Sequence, residues 1–438
     1  MRARTVLGIV AAAGLAGAFL VAPPLARVAS PAGDHEVWLI DQSNSRADGG
    51  GRLYIYDGAA VAGAHAASVA PEVVDLGGAA HAYCLAATGT APVRPHMLAF
   101  SPTHSHAVIA YVATGHVLVL DGPSRAPVAC IDVGAQAHAA FPSPDGRYVV
   151  VANQNGKLLQ RITADFTTGA FVLEPATINL ASCVTPSGAA CQDPVLRPDN
   201  APICPVVDAG SRLTFVTLRG GGMFVVDTTA GSPMAIVAEY DRATVHPNGC
   251  GGVEAAGKLY LNSGGGTAAN PVEADLYAFD LAGFQGLSVP NTPAPRLVFS
   301  HDSRGFVDSH GATLAGARSR YLWVADRAAN RVVVVDTAGD AVVGEIDLAG
   351  AVSADPAPDL ADVSPQGHRV YVALRGPVPL TGNAPAVNNA AGATPGLGII
   401  RVEAGGADGA LQAVNRVSNV GADGLERADP HVLRVRRT

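Results

Sequence analysis

HAAFPSPDGRYVVVANQN, residues 138–155, is the stretch whose reading decides the fold. It reads as two short strands joined by a tight turn. The first strand opens at His138 and runs to Ser143. Pro144-Asp145-Gly146 supplies the turn, with glycine taking the positive φ that other residues resist. Arg147 to Ala152 is a β-branched run with one aromatic, suited to a buried strand, and Asn153 ends it.

The hairpin recurs along the chain. HEVWLIDQSN begins at His35, with GRLYIYDG at Gly51. HMLAFSPTHSHAVIAYVATGHVLVLDG begins at His96, CPVVDAGSRLTFVTLRGGGMFVVD at Cys204 and CGGVEAAGKLYLNSGGG at Cys250. HGATLAGARSRYLWVADRAANRVVVVD begins at His310, DLADVSPQGHRVYVALRG at Asp359 and HVLRVRR at His431. A full pass holds an inner strand, a turn, a second strand, a loop, a third strand often ending in Asp, and a fourth such as VVGEIDLAG. Four antiparallel strands repeating every forty to fifty residues or so is the pattern of a β-propeller blade. No single blade buries both of its faces, so the ring must close. The first pass starts at its second strand, near His35, and HVLRVRR is an inner strand with no remainder. Joining these two fragments gives one composite blade and a count of seven. The expectation is an all-β, seven-bladed β-propeller over residues 33–438, closed by the C-terminal inner strand pairing with the N-terminal blade.

SPDGRYVVVAN and VVVVDTAGDAVVGEIDLAG resemble the YVTN-type seven-bladed propellers, relatives of the WD-repeat group. The likeness spans nearly all of residues 33–438, although the WD and GH dipeptides of WD repeats are absent. It implies a fold and leaves function open, because propellers host many activities.

Composition agrees with an all-β chain: 50 Gly and 31 Pro serve many turns, and 48% apolar residues can fill a large core. Residues 1–32 differ from the rest. Arg2 and Arg4 precede an apolar run from Val6 to Ala26, closed by prolines and small residues, the pattern of a signal peptide. An uncleaved membrane anchor is the other reading. Loss of residues 1–32 removes Arg2, Arg4 and Arg27 and no acid, moving the formal charge from −8 to −11. An acidic exported protein, periplasmic or secreted, is a poor binder of nucleic acid or, apart from such an anchor, of membranes. Six cysteines without a CxxC point to disulfides, with 15 pairings open.

In a propeller the residue opening each inner strand and the residue closing the second strand meet around one channel mouth. In ring order the opening positions are His431, His96, His138, Ile203-Cys204, Gly249-Cys250, His310 and Asp359. Cys204 and Cys250 stand at equivalent places in adjacent blades and are expected to pair. Cys183 and Cys191 would staple one loop, which leaves Cys84 with Cys130. His310, Asp359, His431, His96 and His138 form a contiguous arc, and imidazoles are the commonest ligands of copper and zinc. A metal set of His96, His138, His310 and His431, with Asp359 as ligand or tautomer-fixing partner, is one expectation. Its arrangement resembles the copper-binding propellers of nitrous oxide reductase and methanethiol oxidase, though the separate copper domain of the former is missing. Blade-to-blade hydrogen bonding is the plainer role for the same histidines. Strand-two ends add Asn153, Arg219, Arg327 and Arg375, which could hold a substrate carboxylate or phosphate. Loops 77–95, 181–203 and 376–395 are long and are expected on this mouth. His104 and His106 belong to the opposite face and read as solvated.

Three functions fit. The first is a copper- or zinc-dependent redox enzyme using the histidine arc. The second is a non-enzymatic propeller holding a small molecule or protein at the mouth. The third is a metal-free, lactonase-like hydrolase, which needs a carboxylate or imidazole base beside an oxyanion stabiliser. No G-x-S-x-G elbow or phosphate-binding loop is present.

Overall fold

The computed structural model describes residues 34–231, 233–265, 273–286, 289–301, 307–380 and 390–438. The expected leader, residues 1–32, lies outside them, as does Asp302 beside His301. Seven antiparallel sheets stand in a ring. Each runs outward from its inner strand: Pro430–Arg437, Pro95–Phe100, Ala137–Pro142, Pro202–Val207, Gly252–Ala255, Ser309–Ala315 and Pro358–Val363. One sheet adds a two-residue strand, Ile178–Asn179. The first blade is composite. Strand Pro430–Arg437 pairs antiparallel with His35–Asp41, Leu433 opposite Leu39 and Val435 opposite Val37. The ring is therefore a seven-bladed β-propeller closed by its C-terminal strand.

Second and third strands are buried on both faces, which is why they read as unbroken apolar runs such as HAVIAY and RVVVVD. Sheet-to-sheet packing makes the core. Trp38, Phe215, Phe224, Tyr240 and Phe279 are almost wholly buried between blades, each such aliphatic or aromatic side chain contributing roughly 1.5–3 kcal/mol. Phe215 meets Phe284 edge-on at 5.2 Å and Tyr240 meets Phe279 at 5.4 Å.

The disulfides are Cys84–Cys130, Cys183–Cys191 and Cys204–Cys250, with Cα separations of 5.2, 5.2 and 5.0 Å. The last links the fourth inner strand to the segment just before the fifth. Three disulfides fit an oxidising compartment. Among the described residues no helix is long and apolar enough to cross a membrane.

Two expectations need correction. Residues 77–95 are not a loop at the mouth. They contain a helix, Ala79–Thr88, ended by Gly89 at φ 81° and packed on the outer strand Pro127–Asp132, where Cys84 reaches Cys130. Ten residues of AAHAYCLAAT have high helix propensity, and the disulfide and the burial of Ala80 and Cys84 dock one face. His106 is buried rather than solvated. Its ring lies 5.6 Å from Phe166, and its Nδ1 pairs with Ser105 Oγ at 2.9 Å.

Candidate active site

Strand pairing at the channel mouth has a feature that spacing does not reveal. In six of the seven blades the ladder slips at the opening residue. Pro95 faces Tyr111 and Met97 faces Ala110, so His96 has no partner. His138 is skipped between Ala137 and Ala139, and His431 between Pro430 and Val432. Shifts also bracket Ile203-Cys204, His310-Gly311 and Asp359-Leu360. A bulge leaves one residue out of the ladder and re-aims its side chain. Each opening side chain thereby leaves the sheet plane and joins its neighbours.

Asp359 sits at the centre, fully buried. Its Oδ1 accepts from His310 Nδ1 at 2.6 Å. Its Oδ2 accepts from Arg327 Nη1 at 2.8 Å and Arg375 Nη1 at 2.9 Å. Each arginine has a second acid. Arg375 holds Asp429 through Nε at 2.6 Å and Nη2 at 2.7 Å, and Arg327 Nη2 pairs with Asp308. Burial pushes the Asp359 carboxyl up, but Arg327, His431 and His310 together hold it well below the usual carboxylate range. Burial lowers the Arg375 guanidinium, and Asp429 and Asp359 more than offset this, raising its pKa. Asp41, buried nearby and facing Asp429, is pushed up to about 6, mainly by burial.

Protonation follows from the partners. An ionised carboxylate only accepts, so His310 Nδ1 must donate, which in the neutral imidazole leaves the lone pair on Nε2. Gln42 gives its amide hydrogens to Asp429 Oδ2 at 2.8 Å and the Leu380 carbonyl at 3.2 Å. Its Oε1 therefore accepts from His96 Nδ1, at 2.9 Å. His431 Nδ1 donates to the His96 carbonyl at 3.0 Å, stitching two blades. Burial first, then neighbouring imidazoles, hold His96 well below 6.5; for His431, burial outweighs the opposing pull of Asp359. His138 falls to about 3, mainly by burial, and its Nδ1 has no hydrogen-bond partner among the described residues.

The histidine arc is thus brought together, but not as four convergent ligands. His96 and His431 stack, with centroids 3.7 Å apart and planes 23° from parallel. Metal bonds lie in the ring plane at about 2 Å, so two stacked rings cannot share one ion in this arrangement. His138 meets His96 edge-on at 4.7 Å. Among the described residues, His310, Asp359 and His431 are the set whose ligand atoms lie within 4.8 Å of one another. There the carboxylate is already bonded to two guanidinium groups, which oppose an added cation. A four-imidazole copper or zinc centre does not fit these residues as they stand.

The arginine expectations divide. Arg327 and Arg375 enter the cluster. Arg219 is instead partly exposed and paired with Asp199 Oδ2 at 2.6 Å and Asn155 Oδ1 at 3.0 Å. Asn153 spends its amide on backbone: Nδ2 donates to the Val133 carbonyl at 2.6 Å, and Oδ1 accepts from Gln136 and Gly156. It stabilises a turn and the blade junction. Sequence reasoning missed Asp308 and Asp429. Both stand two residues before an opening histidine, in DSH and DPH. That repeated spacing was the available signal. Loop 376–395 reaches the cluster at its described ends: Leu380 N donates to Asp429 Oδ2 at 2.6 Å, and Ala390 N to Asp308 Oδ2 at 2.7 Å.

No family model and no curated protein matches the chain. Solved structures do. The periplasmic gluconolactonase PpgL of Pseudomonas aeruginosa aligns at TM-score 0.57 and 16% identity, covering 92% of this chain and 98% of that one. A Lactobacillus plantarum protein aligns at 0.54 and 11%, covering 92% and 99%. A candidate 6-phosphogluconolactonase from Bacteroides fragilis aligns at 0.53 and 10%, covering 93% and 99%. At these identities the likeness is one of architecture, and what the chain shares with these proteins is the seven-bladed β-propeller fold.

Proposed function

We propose that the protein is an exported, metal-free hydrolase of a small lactone, acting at the channel mouth. The observation that carries this reading is the His310–Asp359 pair. A carboxylate fixed by two arginines takes the hydrogen on Nδ1, which in the neutral imidazole leaves the lone pair on Nε2, the arrangement of a general base. In the proposed reaction Nε2 takes a proton from water as the water oxygen attacks the lactone carbonyl carbon. The ring C–O bond then breaks, and the proton passes to the leaving alkoxide, giving a hydroxy acid. Arg327, whose buried Nε has no hydrogen-bond partner among the described residues, would stabilise the developing oxyanion. Arg375 and Asp429 hold Asp359 in place. Two of the solved structures with this fold are named as lactonases, which supports the substrate class. Residues 1–32 would direct the chain to the periplasm or beyond, where the disulfides form.

The test is hydrolysis of glucono-δ-lactone and simple aliphatic lactones, followed by acid release, with and without a chelator. His310→Ala should lower kcat by about 10²–10⁴-fold, the usual contribution of a general base. Undiminished turnover in that variant would overturn the proposal. Loss of activity on chelation, restored by copper or zinc, would replace it with a metal site on His310, Asp359 and His431. Absence of turnover on every lactone, with a ligand still bound at the mouth, would favour the binding-protein reading.

A further inference from the structure

A cavity lies against the inner strands of several blades. Residues one to four positions past the opening residues line this chamber, among them Ala99, Phe141, Pro142, Val206 and Leu360. At about 3.3 Å per residue most of them lie roughly 10 Å along the strands from the histidines. The cavity is about 210 Å³, smaller than the roughly 300–1,000 Å³ of drug-sized pockets. Its lining is apolar with one exception, Arg434, on the ring-closing strand.

Arg434 differs from the ion-paired arginines of the ring. Arg327 and Arg375 are each bonded to two carboxylates, and Arg125 and Arg436 pair with Glu36. Arg434 Nη1 donates only to the carbonyls of Leu433, at 3.2 Å, and Ala361, at 3.4 Å. Among the described residues it has no ion pair. The acid that acts on it, Asp362, is spent on the backbone amides of Val363 and Val435, both at 2.8 Å. Burial lowers the Arg434 pKa, and Asp362 offsets this only in part. A half-buried guanidinium whose one acidic neighbour is bonded elsewhere is poorly compensated, and its remaining N–H groups suit a planar anion.

We infer that this chamber binds a small organic anion: a carboxylate on Arg434, with a short aliphatic or aromatic body against Phe141, Val206 and Leu360. The inference does not depend on hydrolysis at the imidazole layer. Isothermal titration of the full chain tests it, with hexanoate, 1-hexanol and inorganic phosphate as probes. Hexanoate should bind one to one. The alcohol lacks the charge-assisted hydrogen bond, worth about 1.5–3 kcal/mol, and phosphate lacks the apolar body, so each should bind at least about tenfold more weakly. Arg434→Gln should weaken hexanoate by the same factor. Val206→Trp, which fills the chamber and leaves Arg434 in place, should do likewise and serves if the first variant fails to fold. No binding of hexanoate to the wild type would overturn the inference, as would unchanged affinity in either folded variant. Phosphate binding as tightly as hexanoate would also overturn it, because charge alone would then account for the site.

Discussion

Asp359→Asn is the substitution that separates the roles packed into the mouth. The carboxylate accepts three charged or polar donors: His310 Nδ1, Arg327 Nη1 and Arg375 Nη1. An amide has one oxygen. If that oxygen faces the two arginines, the amide hydrogens face His310 Nδ1. Nδ1 must then accept, the proton moves to Nε2, and the base is lost. Turnover of a lactone should fall by about 10²–10⁴-fold. Stability should fall too, because breaking a buried ion pair costs about 3–5 kcal/mol. With an unfolding entropy of about 2.1 cal/mol/K per residue over roughly 400 residues, that is about 4–6 °C in Tm. The pH dependence has a definite sign. The folded pKa of Asp359 lies below its ordinary 3.8, so its stabilisation is fully present above that value and drains away as pH falls through the folded pKa. The Tm gap between wild type and variant should therefore be full at pH 7 and narrow below about pH 4. Thermal unfolding followed by circular dichroism at fixed scan rate reads both. A variant within about 1 °C of wild type at pH 7, or a gap that does not narrow in acid, would refute the assignment of a paired, ionised Asp359.

Other outcomes follow from the same contacts. Cys84→Ser with Cys130→Ser opens a loop spanning 46 residues and should cost about 4 kcal/mol in the chain-entropy model. Cys183→Ser with Cys191→Ser, spanning 8, should cost about 2.5 kcal/mol; denaturant midpoints would order them. His246, 2.6 Å from Asp275 Oδ2, should titrate above its ordinary 6.5, chiefly through that carboxylate. The pair's stabilisation is then complete below 6.5 and lost as pH rises through the folded pKa, and an NMR titration of wild type against Asp275→Asn would show the midpoint drop. Removing residues 428–438 should leave strand His35–Asp41 without its inner neighbour and abolish cooperative unfolding in calorimetry.

The fold was legible because each blade repeats a local signal, from SPDG turns to apolar runs such as VVVVD. Ring closure was legible because His35 and His431 open two incomplete passes. The arc of His96, His138, His310, Asp359 and His431 was legible from position alone. Its internal arrangement was not, since ring stacking and hydrogen-bond direction depend on bulges that shift a residue without changing its place in the repeat. Arg219 and Asn153 share strand-end positions with Arg327 and Arg375, yet Asp199 and the backbone claim them. Which polar neighbour wins is a matter of loop geometry, and loops carry no period. The helix Ala79–Thr88 was hidden for a related reason: a short segment of small residues has almost no apolar stripe to announce it.

The closing strand does more than seal the ring. Pro430–Arg437 brings His431 to the imidazole cluster and Arg434 to the apolar cavity, and Asp429 just before it anchors Arg375. A chain with six blades formed and the seventh unclosed would bury much of its core yet own neither site. Chemistry and global integrity are thereby linked in time. Recovery of turnover after refolding should trail the return of most strand structure and coincide with pairing of the most distant segments, the slowest contacts to form.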